Sequence, residues 1–210
     1  MKNILRLSIV MTIVSLLSAF LLAELYSITK PKIEIQKMAK TMEALKMVQP
    51  DARVLVPVTQ KIPVKDGAGN ILFDREVIIY YQAFANEDSS QLLGFAFKSE
   101  GNGYSSVIET MVGIDTSGQI GRIKILSQKE TPGLGTLSED SEPFTGKKWS
   151  TKQFEGKTSK QLKVDKDGGQ IVSITGATIT SRAITNSIKS KLETLLPRMG
   201  ISQDKNEEGN

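Results

Sequence analysis

The chain has 210 residues, 39% hydrophobic and 24% charged, which suits one globular domain with an appendage. It contains neither cysteine nor histidine, excluding disulfide frameworks, thiolate or imidazole metal centres, His-ligated haem and every imidazole-based triad. Its net charge of +4 comes from scattered lysines, not from a basic stripe with interleaved aromatics, so nucleic acid is not an expected partner.

Lys2 and Arg6 precede an uncharged run from Leu7 to Ala23, which Ile4, Leu5, Leu25, Tyr26 and Ile28 extend. At 1.5 Å per residue the run covers roughly 25 Å, close to the thickness of a bilayer core. Its length and the large Leu21 in the Leu21-Leu22-Ala23 stretch favour a retained anchor over a cleaved signal peptide. Lysines flank both ends, but the short leading tail points to a cytoplasmic N-terminus with the following domain outside.

Pro31 is expected to break the helix. Ile33, Ile35, Met38, Met42, Leu45 and Met47 then recur at near-helical spacing, predicting an amphipathic helix over 33–48 with a Met-rich core stripe. Strands are expected at 54–64, 77–84 and 92–98, with Pro57 and Pro63 marking the first as an edge or bulged strand. A hairpin follows: 106–114, the turn Asp115-Thr116-Ser117-Gly118, and 119–126. Residues 130–146 are rich in Gly, Pro, Thr and Ser, and 147–154, with the only tryptophan, Trp149, suggest a short helix. Short strands are expected at 162–164 and 170–174, then a helix capped by Thr180 or Ser181, with Ile184, Ile188, Leu192 and Leu195 as its apolar stripe and Pro197 and Gly200 as its stop. The fold class is α+β: residues 1–29 form a tail and transmembrane anchor, 30–200 one mixed α/β domain of antiparallel hairpins and flanking helices, and 201–210 a disordered polar tail.

Two segments carry candidate chemistry. Glu130-Thr131-Pro132-Gly133-Leu134-Gly135 combines a fixed φ with glycines that allow close backbone approach; it is either a well-punctuated loop or a ligand contact. Thr175-Gly176-Ala177-Thr178-Ile179-Thr180-Ser181 is a strand-to-helix turn with four hydroxyls. A helix N-terminus offers unpaired N–H groups and partial positive charge, so this turn is either an ordinary capped start or a phosphate site.

Thr175-Gly176-Ala177-Thr178 resembles the [Ser/Thr]-Gly-Ala-Thr motif of the FMN-binding domain family, which includes the G subunit of the Rnf electron-transport complex and the C subunit of the sodium-pumping NADH:quinone reductase. Gly103-Tyr104-Ser105, Met111-Val112-Gly113-Ile114-Asp115 and Glu130-Thr131-Pro132-Gly133-Leu134-Gly135 resemble that family's earlier blocks, in order. The resemblance implies FMN joined through its phosphate to the hydroxyl of Thr178, attached from FAD by a separate flavin transferase, with no metal. It implies a cofactor site formed by Thr175, Gly176, Ala177, Thr178, Thr180 and Ser181 with Glu130, Thr131, Pro132, Gly133, Leu134 and Gly135. Glu130, Thr131 and Leu134 would touch the flavin, and Tyr104 and Trp149 are candidate stacking partners or core residues. The implied role is electron carriage beside other membrane subunits of an Rnf-type ion-translocating ferredoxin–NAD oxidoreductase in the cell membrane, as part of an enzyme and not a whole one. One position departs: Val172 stands where the family often has Asp, and Asp165 and Asp167 lie well upstream. That departure motivates an alternative, an anchored scaffold that is not flavinylated; a reductase domain holding FMN loosely is a third reading.

Overall fold

The computed structural model describes residues 2–201, with the side chains of 3–201; the tail expected at 201–210 lies outside the described residues except for Ile201. The chain divides into two compact units, one up to Met42 and one from Glu43 onward.

The first unit is helical. Helix α1, Lys2–Val48, runs without interruption through Pro31, so the break expected there is corrected. A proline removes one helical hydrogen bond at a cost of about 3 kcal/mol, which long cooperative flanks can carry. The N-terminal part is long and apolar enough to cross a membrane, with a mean hydropathy of 2.2. The Met-rich stripe is also corrected: Met38, Met42 and Met47 are exposed, as are Ile33 and Ile35.

In the second unit, β1 (Val54–Lys65), β2 (Ile71–Phe84), β3 (Leu92–Asn102), β4 (Val107–Asp115) and β5 (Ile120–Ser127) form one antiparallel meander in chain order. The 115–118 turn closes β4–β5 as expected: Asp115 Oδ1 accepts from Ser117 N and Gln119 N at 2.9 and 3.0 Å. β1 is an edge strand with register shifts at Val58/Thr59 and Val64/Lys65, in keeping with Pro57 and Pro63. Strand alternation sends side chains to opposite faces. Ala96 and Met111 face Ala44, Leu45 and Val48 at the end of α1. Phe95, Phe97, Val112 and Ile114 join the larger core with Ile184, Ile188, Leu192 and Leu195 of α2, Thr178–Leu195. The sheet therefore has a helix on each face, and α2 ends before the 3₁₀ turn Pro197–Met199 and the left-handed Gly200.

The connection between β5 and α2 holds 3₁₀ turns at Gly135–Glu139, Thr151–Phe154, Ser159–Gln161 and Asp165–Asp167. The strands expected at 162–164 and 170–174 reduce to a single parallel bridge, Val164 to Ile171. Side chain–backbone bonds take the place of a ladder: Val172 N donates to Gln153 Oε1 at 2.8 Å, and Gln153 Nε2 donates to Val172 O at 3.3 Å.

Candidate cofactor site

Three segments far apart in sequence meet at the N-terminal end of α2. They are the β3–β4 turn at Gly103–Ser106, the loop Glu130–Gly135 after β5, and the turn Thr175–Thr180. Together they line a cavity of about 530 Å³ whose walls are Tyr104, Glu130, Thr131, Leu134, Gly135, Gly176, Ala177, Thr178, Ile179 and Thr180. That volume suits a cofactor-sized ligand. Leu134 and Ile179 give it apolar walls, and both are exposed. Tyr104 at its edge is 72% exposed.

The turn is built by its own hydrogen bonds. Ala177 N donates to Ile174 O at 3.0 Å. Ser181 Oγ accepts from Ile174 N at 2.9 Å and donates to Ala177 O at 3.1 Å. Gly176 sits at φ +78°, in the left-handed region that favours glycine, and a Cβ there would press on Leu134 Cδ2 at 3.1 Å. Helix α2 starts at Thr178 behind Ala177, with no side-chain cap and no acidic residue in its first turn. The cap expected from Thr180 or Ser181 is therefore corrected: the Ser181 hydroxyl is spent inside the turn, and Thr180 Oγ1 donates to Glu130 Oε2 at 2.6 Å. Among the described residues, the hydroxyls of Thr175 and Thr178 have no such partner. Thr175 is exposed and off the cavity wall, whereas Thr178 is half-buried and on it. An uncapped first turn beside a free hydroxyl is suited to a phosphate.

Glu130 is 5% exposed. Its carboxylate accepts from Tyr104 N (3.0 Å), Ser105 N (2.9 Å) and Ser106 N (3.1 Å), as well as from the hydroxyls of Ser106 and Thr180. Burial pushes its pKa up, but the Thr180 hydroxyl and the three backbone N–H groups outweigh it and hold the group below its ordinary value. Glu130 is thus on the wall with its oxygens already engaged.

Pro132 and Gly133 are exposed and outside the cavity lining, and Ser181 lies buried behind the turn. Trp149 is core: it is 5% exposed, its ring meets Phe154 edge-on at 5.7 Å, and Nε1–H donates to Ser138 O at 3.1 Å. Sequence reasoning misses Ile179; the available signal is an apolar residue between hydroxyls in a first helical turn. Asp165 and Asp167, remote in sequence, are close in the fold. Asp165 Oδ1 accepts from Ser173 Oγ at 2.5 Å and Ser173 N at 3.1 Å, and Asp167 forms a fork with Arg182 of α2, with its shortest bond at 2.6 Å. Ser173 holds the Asp165 carboxyl below its ordinary value.

Residues 103–193 match the model of the FMN-binding domain. The G subunit of the ion-translocating oxidoreductase complex of Shewanella piezotolerans is 31% identical over 195 residues, covering 90% of this chain and 87% of that protein. The chain belongs to the G-subunit family of ion-translocating oxidoreductase complexes. The corresponding G subunit of Methanosarcina acetivorans is 28% identical over 91% of this chain and 94% of its own length. A G-subunit family member from Clostridium ljungdahlii, that of a proton-translocating ferredoxin:NAD(+) oxidoreductase complex, is 31% identical over 87% of this chain and 86% of its own. Among solved structures, the C subunit of the Na(+)-translocating NADH-quinone reductase from Parabacteroides distasonis superposes with a TM-score of 0.52 at 18% identity, over 81% of this chain and 97% of that one. That likeness gives the fold, an α+β domain built on an antiparallel sheet, as expected from the sequence. With its apolar N-terminal helix, this G-subunit family member is a membrane protein.

Proposed function

We propose that this G-subunit family member is an electron-transfer component of an ion-translocating ferredoxin–NAD oxidoreductase complex, carrying FMN by a phosphoester to the Thr178 hydroxyl. One observation carries the assignment of the acceptor: of the four hydroxyls in the turn, Thr178 alone is both unengaged and on the cavity wall. The uncapped first turn of α2 would supply N–H groups and partial positive charge to the phosphate. Tyr104, Leu134 and Ile179 offer apolar surface for the ring system, and Thr131 a polar edge. The flavin supplies the redox chemistry; the protein supplies attachment, orientation and electrostatics. A bond from Thr178 Oγ1 to the FMN phosphate, made from FAD by a flavin transferase, releases AMP and the hydroxyl proton. A permanent bond suits a domain outside the cytoplasm, where lost FMN could not be replaced, and the anchor keeps the flavin among the other membrane subunits. The domain assignments carried by this proposal are an anchor at 1–29 and an extracytoplasmic flavin domain at 30–200.

The test is the chain co-expressed with a flavin transferase. Wild type and Thr178→Ser should give a fluorescent band in denaturing gels and a mass addition on the order of 440 Da on the Thr178 peptide, whereas Thr178→Ala should give neither, because only a hydroxyl in that phosphate pocket can form the ester. A fluorescent Thr178→Ala band sinks the proposed bond. The second reading, an anchored scaffold without flavin, rests on Val172; colourless wild-type protein from the same co-expression would favour it.

A further inference from the structure

The sequence marks Glu130 as a polar contact to the cofactor, yet its two oxygens are fully occupied by the protein. Oε1 takes the N–H groups of Ser105 and Ser106, and Oε2 takes Tyr104 N and the Thr180 hydroxyl. Two glycines of the site are also shaped around it. A Cβ at Gly103 would lie 2.6 Å from Glu130 Oε1, and one at Gly135 would lie 2.5 Å from Glu130 Cβ. Real Cβ atoms are essentially never found that close, so both turns need glycine to approach this side chain. The carboxylate bonds the hydroxyl of Thr180 and not the first-turn N–H groups of α2, which stay available to an anion. A buried charge satisfied by this many donors is costly to disturb, because removing one oxygen strands the N–H groups that pointed at it.

We infer that Glu130 is a positioning residue: it ties the Gly103–Ser106 turn, the Glu130–Gly135 loop and the first turn of α2 into one preformed cradle, and through Tyr104 N it holds the Tyr104 ring at the cavity mouth. This inference rests on the reading of the cavity as the flavin site. Glu130→Gln keeps the size of the side chain but replaces one acceptor oxygen by a donor facing donors. Thr180→Val removes only the hydroxyl bond and serves if Glu130→Gln does not fold.

Two measurements on the full chain test it. The first is amide hydrogen exchange on protein made without the transferase and without flavin. Exchange at Tyr104–Ser106 should rise at least about tenfold more than at Phe95, Phe97 and Val112 in the paired strands in either variant, a local opening beyond any global loss of stability. No change at those three amides, or an equal rise throughout the sheet, overturns the inference. The second is visible circular dichroism of fully flavinylated protein, which reads the surroundings of the ring. Its flavin bands should shift in Thr180→Val and Glu130→Gln but not in Ile188→Val, a core substitution chosen to lower stability without touching the cavity. Equal spectra in all three overturn it. A wild type that never acquires flavin sinks the functional reading alone, since the exchange experiment needs no flavin.

Discussion

Thr178 and Thr180 are two positions apart and have the same side chain, yet the fold gives them opposite fates. The crowd of hydroxyls was legible in the sequence; which of them was free was not, because the partner of Thr180 is fifty residues away at Glu130. The same distance hid the true surroundings of Glu130, and it hid how Asp165 comes to rest on Ser173 beside Val172. Both carboxyls are held below their ordinary values by donors, which fixes the sign of their pH linkage. Each contributes stability above its unfolded pKa and loses it as pH falls through the lower folded value, so the chain should weaken progressively in acid below the usual carboxyl range. Urea unfolding followed by Trp149 emission should show this slope in wild type. Glu130→Gln should be less stable at neutral pH and should lose less of its remaining stability on acidification. Gly176→Ala places a Cβ at φ +78° and against Leu134, so it should cost roughly 1 kcal/mol or more and lower flavin loading, read by gel fluorescence at limiting transferase.

At the scale of elements, alternation and turn residues made the five strands legible, and their observed ends lie further out mainly where charged or polar residues continue a strand, as in Asp74–Glu76 and Ser99–Asn102. The Met-rich stripe misled because periodicity reveals a helical face without saying what covers it: within α1, Ala44, Leu45 and Val48 are buried against the sheet, whereas Met38, Met42 and Met47 are exposed. The stretch between β5 and α2 had no period to read because side chain–backbone bonds hold it. The β1–β2 pair behaves differently from its neighbours. β2 pairs with β3 only over Tyr81–Phe84 but with β1 from Ile71 onward, so its distal part is a two-stranded ribbon. Such ribbons are marginal in water on their own. Amides of 59–65 other than Pro63, which has none, and of 71–77 should therefore exchange far faster than those of β3 and β4 under native conditions. Ile71, Leu72 and Phe73 at its end are exposed, and serine at any one of them should change urea stability by no more than about 0.5 kcal/mol.

For the molecule as a whole, stability resides in the layer between sheet and α2, where Ile184, Ile188 and Leu192 are fully buried. Ile188→Ala should cost about 2–5 kcal/mol through lost burial and the cavity left behind, measured as a fall in the urea midpoint. The family was legible because its motif blocks stand in the right order: the blocks at Gly103–Ser105, Glu130–Gly135 and Thr175–Thr178 supply walls of a single cavity, while Met111–Asp115 lies in β4, with Met111, Val112 and Ile114 in the packing of the sheet. The distal bend of the ribbon is self-contained by contrast. Asp66 Oδ1 accepts from Ala68 N and Asn70 N, both at 2.9 Å, and Gly69 takes the left-handed conformation. Because that bend closes on itself and shares no residue with the cavity, it offers a place to splice in an affinity epitope or a fluorescent reporter, so that the chain can be pulled down or imaged with the cavity undisturbed.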